Sequence, residues 1–242
     1  MHLDELSAQA RSGVSVEAHE AYFRQLLGDV DEPTAPFGLL NVHGDGTASD
    51  EARLEVEPAL AGRVRAQARR LGVSATSLFH VAWAHVLARV SGRDDVVFGT
   101  VLFGQLEGGA GAERALGLFS NTLPVRVRVG HDDAQDSVRG VQKQLAELMH
   151  HQHAPLALAQ RCSAVPAPTP LFAALLNYRH TPSRASRPET DRPHGLDGVY
   201  TLHTEERTNY PITLSVDDRG EAFTLTALAE PTAGPAALCA YI

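Results

Sequence analysis

The run from Val96 to Arg126 constrains this chain more than any other part of it. It opens on a continuous apolar stretch, Val96–Phe103, which reads as a strand buried on both faces. A glycine-rich loop follows, Gly104–Gly111, and then Gly117-Leu118-Phe119-Ser120-Asn121-Thr122-Leu123-Pro124-Val125-Arg126 leads into an alternating run. Val125, Val127 and Val129 share one face and Arg126 and Arg128 the other, the period of a half-exposed strand. A long glycine-rich connection between two strands either moves or lies close to another backbone.

The elements around this run alternate in type. Val16–Leu27 has helical spacing and Gly28 stops it. Asp31–Ser49, rich in Pro and Gly, reads as an irregular linker crossing the surface. Arg53–Glu57 reads as a short strand, and Pro58 opens a helix that Gly72 closes. The next helix, capped by Ser74 or Ser77 and ended by Gly92, is apolar on more than one face and so belongs in the core. Asp132, Asp133 and Asp136 favour the start of another helix. Later come Leu171–Tyr178 as a strand, a polar loop Thr181–Gly198, a strand Val199–His203, and a hairpin of Ile212–Val216 with Ala222–Ala229. These elements predict an α/β (α+β-like) fold: a mixed sheet with helices packed mainly on one face.

Composition excludes several classes. A net charge of −8 does not suit a chain that tracks nucleic-acid phosphates. Lys143 is the only lysine, which leaves almost no candidate for a lysine base or Schiff base. Cys162 and Cys239 have no metal-ligand spacing, and reduced thiols in a cytoplasmic protein are expected. No apolar run reaches membrane-spanning length.

The glycine–apolar–Phe–x–Asn–Thr–Leu–Pro–x–Arg pattern ending at Arg126 resembles the fifth core motif of the condensation domains of nonribosomal peptide synthetases. His151-Gln152-His153-Ala154-Pro155-Leu156 resembles the sixth. Pro170-Leu171-Phe172 followed by Leu175-Leu176-Asn177-Tyr178 resembles the end of the seventh. The matches run in family order from about Ala18 to the C-terminus. The resemblance implies the C-terminal lobe of the CoA-dependent, chloramphenicol-acetyltransferase-like fold. Residues 1–50 would be an N-terminal helix and linker, and 51–242 the lobe, truncated at its final helix.

The activity implied is amide formation between two carrier-bound thioesters. No cofactor would bind directly; phosphopantetheine would sit on the partner carrier proteins. The other implied partner is an N-terminal catalytic lobe, with no nucleic acid and no membrane. The family's catalytic motif is two adjacent histidines, three residues, then Asp-Gly. Only His150-His151 is an adjacent pair, and Pro155 and Leu156 stand where Asp-Gly should follow. The catalytic set expected in this chain is therefore empty. Gly104, Ser120, Asn121, Thr122, Asn177 and Tyr178 are the candidates for lining the substrate channel, with Gly104–Gly111 as its floor loop. Gln105 replaces the family's usual arginine.

Three readings compete: half of a condensation domain, a non-catalytic binding or scaffold module of the same descent, and a free acyltransferase built on this lobe's own histidines. The missing motif counts against the third. A metal site is not expected, because His150, His151 and His153 do not converge on one helix face as i, i+4 pairs do. The whole domain's second lobe would cover the glycine loop and the flank around Tyr210-Pro211-Ile212.

Overall fold

The computed structural model describes residues 13–44, 49–103, 120–180 and 207–242. The expected glycine loop Gly104–Gly111, the polar loop Thr181–Gly198 and the strand Val199–His203 fall outside those residues.

Six strands form one mixed sheet: β1 (Asp50–Glu55), β2 (Asp95–Phe103), β3 (Ser120–Arg128), β4 (Ala174–His180), β5 (Ile212–Asp218) and β6 (Phe223–Ala229). Their spatial order is β1-β6-β5-β4-β2-β3. β2 pairs antiparallel with β3 and parallel with β4, and β4 runs parallel to β5. The hairpin of β5 and β6 forms as expected, and β1 closes the other edge.

The helices are α1 (Val16–Leu27), α2 (Pro58–Leu71), α3 (Ala75–Ser91), α4 (Ala134–His150), α5 (Leu156–Arg161) and α6 (Pro235–Tyr241). α3 is the core helix. Phe79, Val81, Trp83, Val86 and Leu87 are all buried, on more than one of its faces. Ser74 caps it by accepting from the Ser77 N–H, and Gly92 ends it in the left-handed region. The cap has tertiary support: Gln142 of α4 accepts through Oε1 from the Ser74 N–H at 2.8 Å and the Ser77 hydroxyl at 2.9 Å. Thus α3 lies on the sheet and packs against α2 and α4.

Alternation along the strands defines two sheet faces. Thr100 points to α3, where its hydroxyl meets His80 Nε2 at 2.9 Å. Tyr178, on the same face, rests its ring 5.9 Å from that of Phe79. Gly99, Leu175 and Asn177 therefore point to the other face, called here the far face. On it a Cβ added at Gly99 would lie 2.4 Å from Leu175 Cδ2, 2.6 Å from Phe172 and 2.9 Å from Thr122 Cγ2. Glycine lets these three side chains converge.

The structure corrects several expectations. Arg126 does not face solvent: its side chain is 8 % exposed. Its guanidinium donates to Asp95 through Nε at 2.9 Å and Nη2 at 2.6 Å, to the Leu26 carbonyl at 2.8 Å, and to Asp29. Strict alternation predicts where a side chain points, and here that place is occupied by the end of α1. The linker after α1 is also pinned, because buried Thr34 accepts through Oγ1 from the Val97 N–H at 2.7 Å. β4 starts at Ala174, and the residues before it are held by a bridge between Thr34 and Phe172. β1 starts at Asp50 and ends at Glu55, before the expected Glu57. Gly28 stops α1 with right-handed dihedrals, not a left-handed cap. Pro211 and Ile212 are buried, and Tyr210 stacks on Phe172 with ring centroids 5.8 Å apart, so that flank is already packed.

β3 is a sheet edge, and an edge strand exposes unpaired backbone groups. Gln144 of α4 covers one such position: its Oε1 accepts from the Arg126 N–H and its Nε2 donates to the Arg126 carbonyl, both at 2.9 Å.

Arg126 and Arg128 are one strand period apart but differ in burial, since Arg128 is 52 % exposed. Arg126→Gln should lower the urea-unfolding free energy by about 2–4 kcal/mol, since it strands the part-buried Asp95 carboxylate and the Leu26 carbonyl. Arg128→Gln should cost less than about 1 kcal/mol. Equal effects of the two would show that the Arg126 network adds nothing beyond surface pairing.

Candidate functional site

The residues singled out in the sequence separate into three environments. Asn121 and Tyr178 are held by structural bonds on the α3 face. Asn121 donates through Nδ2 to the carbonyls of Gln152 and Ala154, both at 2.8 Å, and accepts through Oδ1 from the Thr122 N–H. It thereby ties the turn after α4 to β3, so the fifth and sixth motif segments are brought into contact. Tyr178 donates to Asp218 Oδ2 at 2.7 Å, and Arg65 donates to the same carboxylate at 2.6 Å. Burial pushes the Asp218 carboxyl up, but the hydrogen bonds from Arg65 and Tyr178 outweigh it and hold the group at about 2.

Thr122 and Asn177 occupy the far face, and Ser120 is exposed at the start of β3. Gly104 lies outside the described residues. Asn177 is unlike the others, because its Oδ1 is enclosed and has no hydrogen-bond partner among the described residues. Thr213 shares this condition: it is 7 % exposed and its Oγ1 has no partner among them. Ser215, Thr224 and Thr226 lie on the same face of β5 and β6. Sequence reasoning missed this polar row. Its signal was present as hydroxyl residues at every second position, 213 and 215 in β5 and 224 and 226 in β6, inside otherwise apolar strands.

The histidines do something the sequence did not indicate. His151, just past α4, turns onto α1. Its Nδ1 lies 2.8 Å from His19 Nδ1, and its ring stacks on Tyr22 with centroids 4.2 Å apart. Two facing Nδ1 atoms share one proton, so the contact requires at least one neutral ring. Burial lowers both pKa values. His153 lowers His19 further, and the charges of His19 and His150 lower His151, while Glu147 opposes. His80 is fully buried between the Thr76 carbonyl and Thr100, and burial brings it down to about 4. Among the described residues, no three metal-ligating side chains cluster. Cys162 and Cys239 are buried free thiols, and no single described helix is long and apolar enough to cross a membrane.

Comparison with known proteins decides the family. The family model for the condensation domain matches residues 5–231. The chain belongs to the condensation-domain family. It is 50 % identical over 238 residues to malpibaldin synthetase from Mortierella alpina, covering 98 % of this chain and 4 % of that protein. It is 31 % identical over 197 residues to bacitracin synthase 3 from Bacillus licheniformis, covering 80 % and 3 %. The chain thus spans a small part of these curated relatives. Among solved structures, it superposes on the condensation domain from Monacolin K polyketide synthase with a TM-score of 0.64 at 21 % identity, covering 93 % of this chain and 54 % of that one. For the X-domain from teicoplanin biosynthesis the TM-score is 0.69 at 17 % identity, covering 98 % and 55 %. The expected fold, a mixed sheet with helices in the CoA-dependent-acyltransferase-like class, is thereby shown, as is the likeness to nonribosomal peptide synthetase condensation domains.

The histidines make condensation-domain stability pH-dependent. His19, His80 and His151 have folded pKa values below the ordinary 6.5, so the unfolded chain binds more protons. Stability is then complete above that value and falls as pH drops from 6.5 toward about 4. Melting temperature should decline through this window, and His19→Asn should flatten part of the decline. A melting temperature constant across the window would refute this.

Proposed function

We propose that this chain is the C-terminal half of a nonribosomal peptide synthetase condensation domain and contributes to amide-bond formation. In that reaction the acceptor's amine nitrogen attacks the donor's thioester carbonyl. An N–C bond forms, the C–S bond breaks, and the thiol departs as the nitrogen gives up a proton. Both thioesters would arrive on phosphopantetheine arms of carrier proteins, with no cofactor bound by this chain itself. The reaction would run in the cytoplasm, with neither nucleic acid nor membrane as partner. Residues 51–242 would form the lobe, and the segment up to 50 its leading helix and linker.

The observation that carries the reading is the match of residues 5–231 to the family combined with coverage of about half of each solved relative, 54 % and 55 %. The missing catalytic base supports it too. General-base chemistry needs a proton acceptor free to meet the reacting amine. His151 is committed to His19 and Tyr22, and His80 is buried and bonded at both nitrogens. The paired-histidine motif would come from the N-terminal lobe. This half would supply a channel wall. Thr122 and Asn177 would lie along it, with Ser120 and the loop at Gly104 at its margin. Asn121 and Tyr178 would hold the strands in place.

The 242-residue chain alone should form no amide from two loaded carrier proteins above a no-enzyme control. A longer polypeptide that includes the preceding lobe should do so. Turnover by the chain alone, abolished by His151→Ala, would instead establish a free acyltransferase. No turnover by either polypeptide would establish a non-catalytic binding module.

A further inference from the structure

The outer face of α2 carries a positive charge that the fold does not use. The chain as a whole has a formal charge of −8, yet α2 holds Arg63, Arg65, Arg69 and Arg70 and no acidic residue. Ala61 and Ala68 turn one side of the helix into the core. Arg65 is spent inside: it donates through Nη2 to Asp218 at 2.6 Å and lies over the Phe223 ring at 4.0 Å. Arg63, Arg69 and Arg70 are exposed. Among the described residues none of these three has a carboxylate partner, and Arg70 donates only to Gln67 of its own helix, at 3.1 Å. By contrast Arg24, Arg128 and Arg139, exposed elsewhere, are each paired to an acid. Arg63 and Arg70 stand at i and i+7, on one side of the helix and about 10 Å apart along its axis. Ala59, Gly62 and Ala66 are exposed beside them, so the guanidinium groups stand above a low surface. Gly62 adds a second observation. Nothing lies within 4 Å of where its Cβ would be. Glycine is the poorest helix former after proline, and no neighbour among the described residues requires it there.

Size and relief select the occupant. A nucleic-acid duplex carries a phosphate charge about every 1.7 Å and would run past this short patch onto the exposed Glu51, Glu55 and Glu57 that precede α2. A helix that lies on a membrane needs large apolar side chains beside its cations, and Ala59, Gly62 and Ala66 offer none. A second helix fits both features. Short residues let its backbone come close. Carboxylates spaced three or four residues apart share one of its faces, and arginine meets a carboxylate with two nitrogens. We infer that the outer face of α2 is a docking surface for an acidic helix of a partner protein. The negative charge on the rest of the chain repels such a partner everywhere else, so the patch orients its approach. This inference does not depend on the amide-forming reading.

The test uses the full 242-residue chain and a labelled probe peptide. The probe is a stapled alanine helix with glutamate at alternating three- and four-residue spacing, and its control has glutamine at those places. By fluorescence anisotropy in about 50 mM salt, the acidic peptide should bind at least about tenfold more tightly than the control, and a rise to about 300 mM salt should erode the difference. Replacing Arg63, Arg69 and Arg70 together with Gln should abolish it. Replacing Arg89 and Arg161, exposed arginines on other helices, with Gln should leave it intact. Gly62→Leu should keep or raise the melting temperature and still weaken binding, because the new side chain stands where the probe backbone must come. Equal binding of the two peptides overturns the inference, as does equal loss in the Arg89 and Arg161 variant, which would reduce the effect to net charge. Undiminished binding by Gly62→Leu overturns the close helix packing. A melting temperature lowered by more than about 5 °C in the triple variant also counts against it, since it would give the three arginines a structural role. A 20-base-pair duplex or vesicles with about 30 % phosphatidylserine that bind more tightly than the acidic peptide would overturn the choice of partner.

Discussion

The guanidinium of Arg126 is the junction on which this lobe depends. It reaches a carboxylate of β2, a carboxylate and a carbonyl at the end of α1, and it does so from the edge strand β3. Arginine suits the position because its planar fork meets Asp95 with two nitrogens while a third donor remains for the helix end. Burial pushes the Asp95 carboxyl up, yet the bonds and charge of Arg126, with Arg128 adding, hold it below its ordinary value. Asp29, bonded by Arg126, sits at about 2. Both carboxylates are therefore held in the charged form to lower pH than an ordinary aspartate. It fixes α1 against the sheet, and the fixed helix is what presents His19 and Tyr22 to His151.

A second constraint follows from backbone accounting. Asn121 uses its whole amide group on backbone partners, and Gln144 uses its own on the N–H and carbonyl of one edge residue. Gln142 satisfies the start of α3. Three side-chain amides thus close three openings where a helix or strand would otherwise leave buried groups unmet. The accounting is not complete among the described residues, where enclosed atoms of Tyr22, Trp83, Gln152, Asn177 and Thr213, with the Nε atoms of Arg65 and Arg93, have no hydrogen-bond partner.

The fold was legible in the sequence wherever period and punctuation agreed. α3 announced itself by apolar residues on several faces, with Ser74 before it and Gly92 after it. The β5–β6 hairpin followed from two alternating runs across a turn. The errors at Arg126 and Thr34 share one cause, since contacts distant in sequence decided them. Arg126 reads as an outward residue until α1 is placed over it. Thr34 reads as linker until its hydroxyl meets β2. The site was legible in part. The resemblance named Asn177 and Thr122, but it also named Asn121 and Tyr178, whose bonding is internal to the lobe. Asn121 spends its oxygen on the next backbone N–H and its nitrogen on carbonyls of the turn after α4, and no local pattern encodes the approach of that turn. Thr213 was hidden because threonine is an ordinary strand residue.

The edges of the sheet bear on where another lobe can meet this one. β3 has the Arg126 backbone covered by Gln144. β1, at the opposite edge, has the sequence Asp-Glu-Ala-Arg-Leu-Glu, whose charges discourage another strand from adding to it. Among the described residues, then, neither edge invites extension of the sheet. The α3 face is occupied by the helix layer. The far face is covered as well: Thr213, Ser215, Thr224 and Leu228 are all buried, and Arg126 lies against the end of α1. Among the described residues, another lobe would therefore have to meet helix and loop surfaces of this one, because neither a free strand edge nor an uncovered sheet face is on offer.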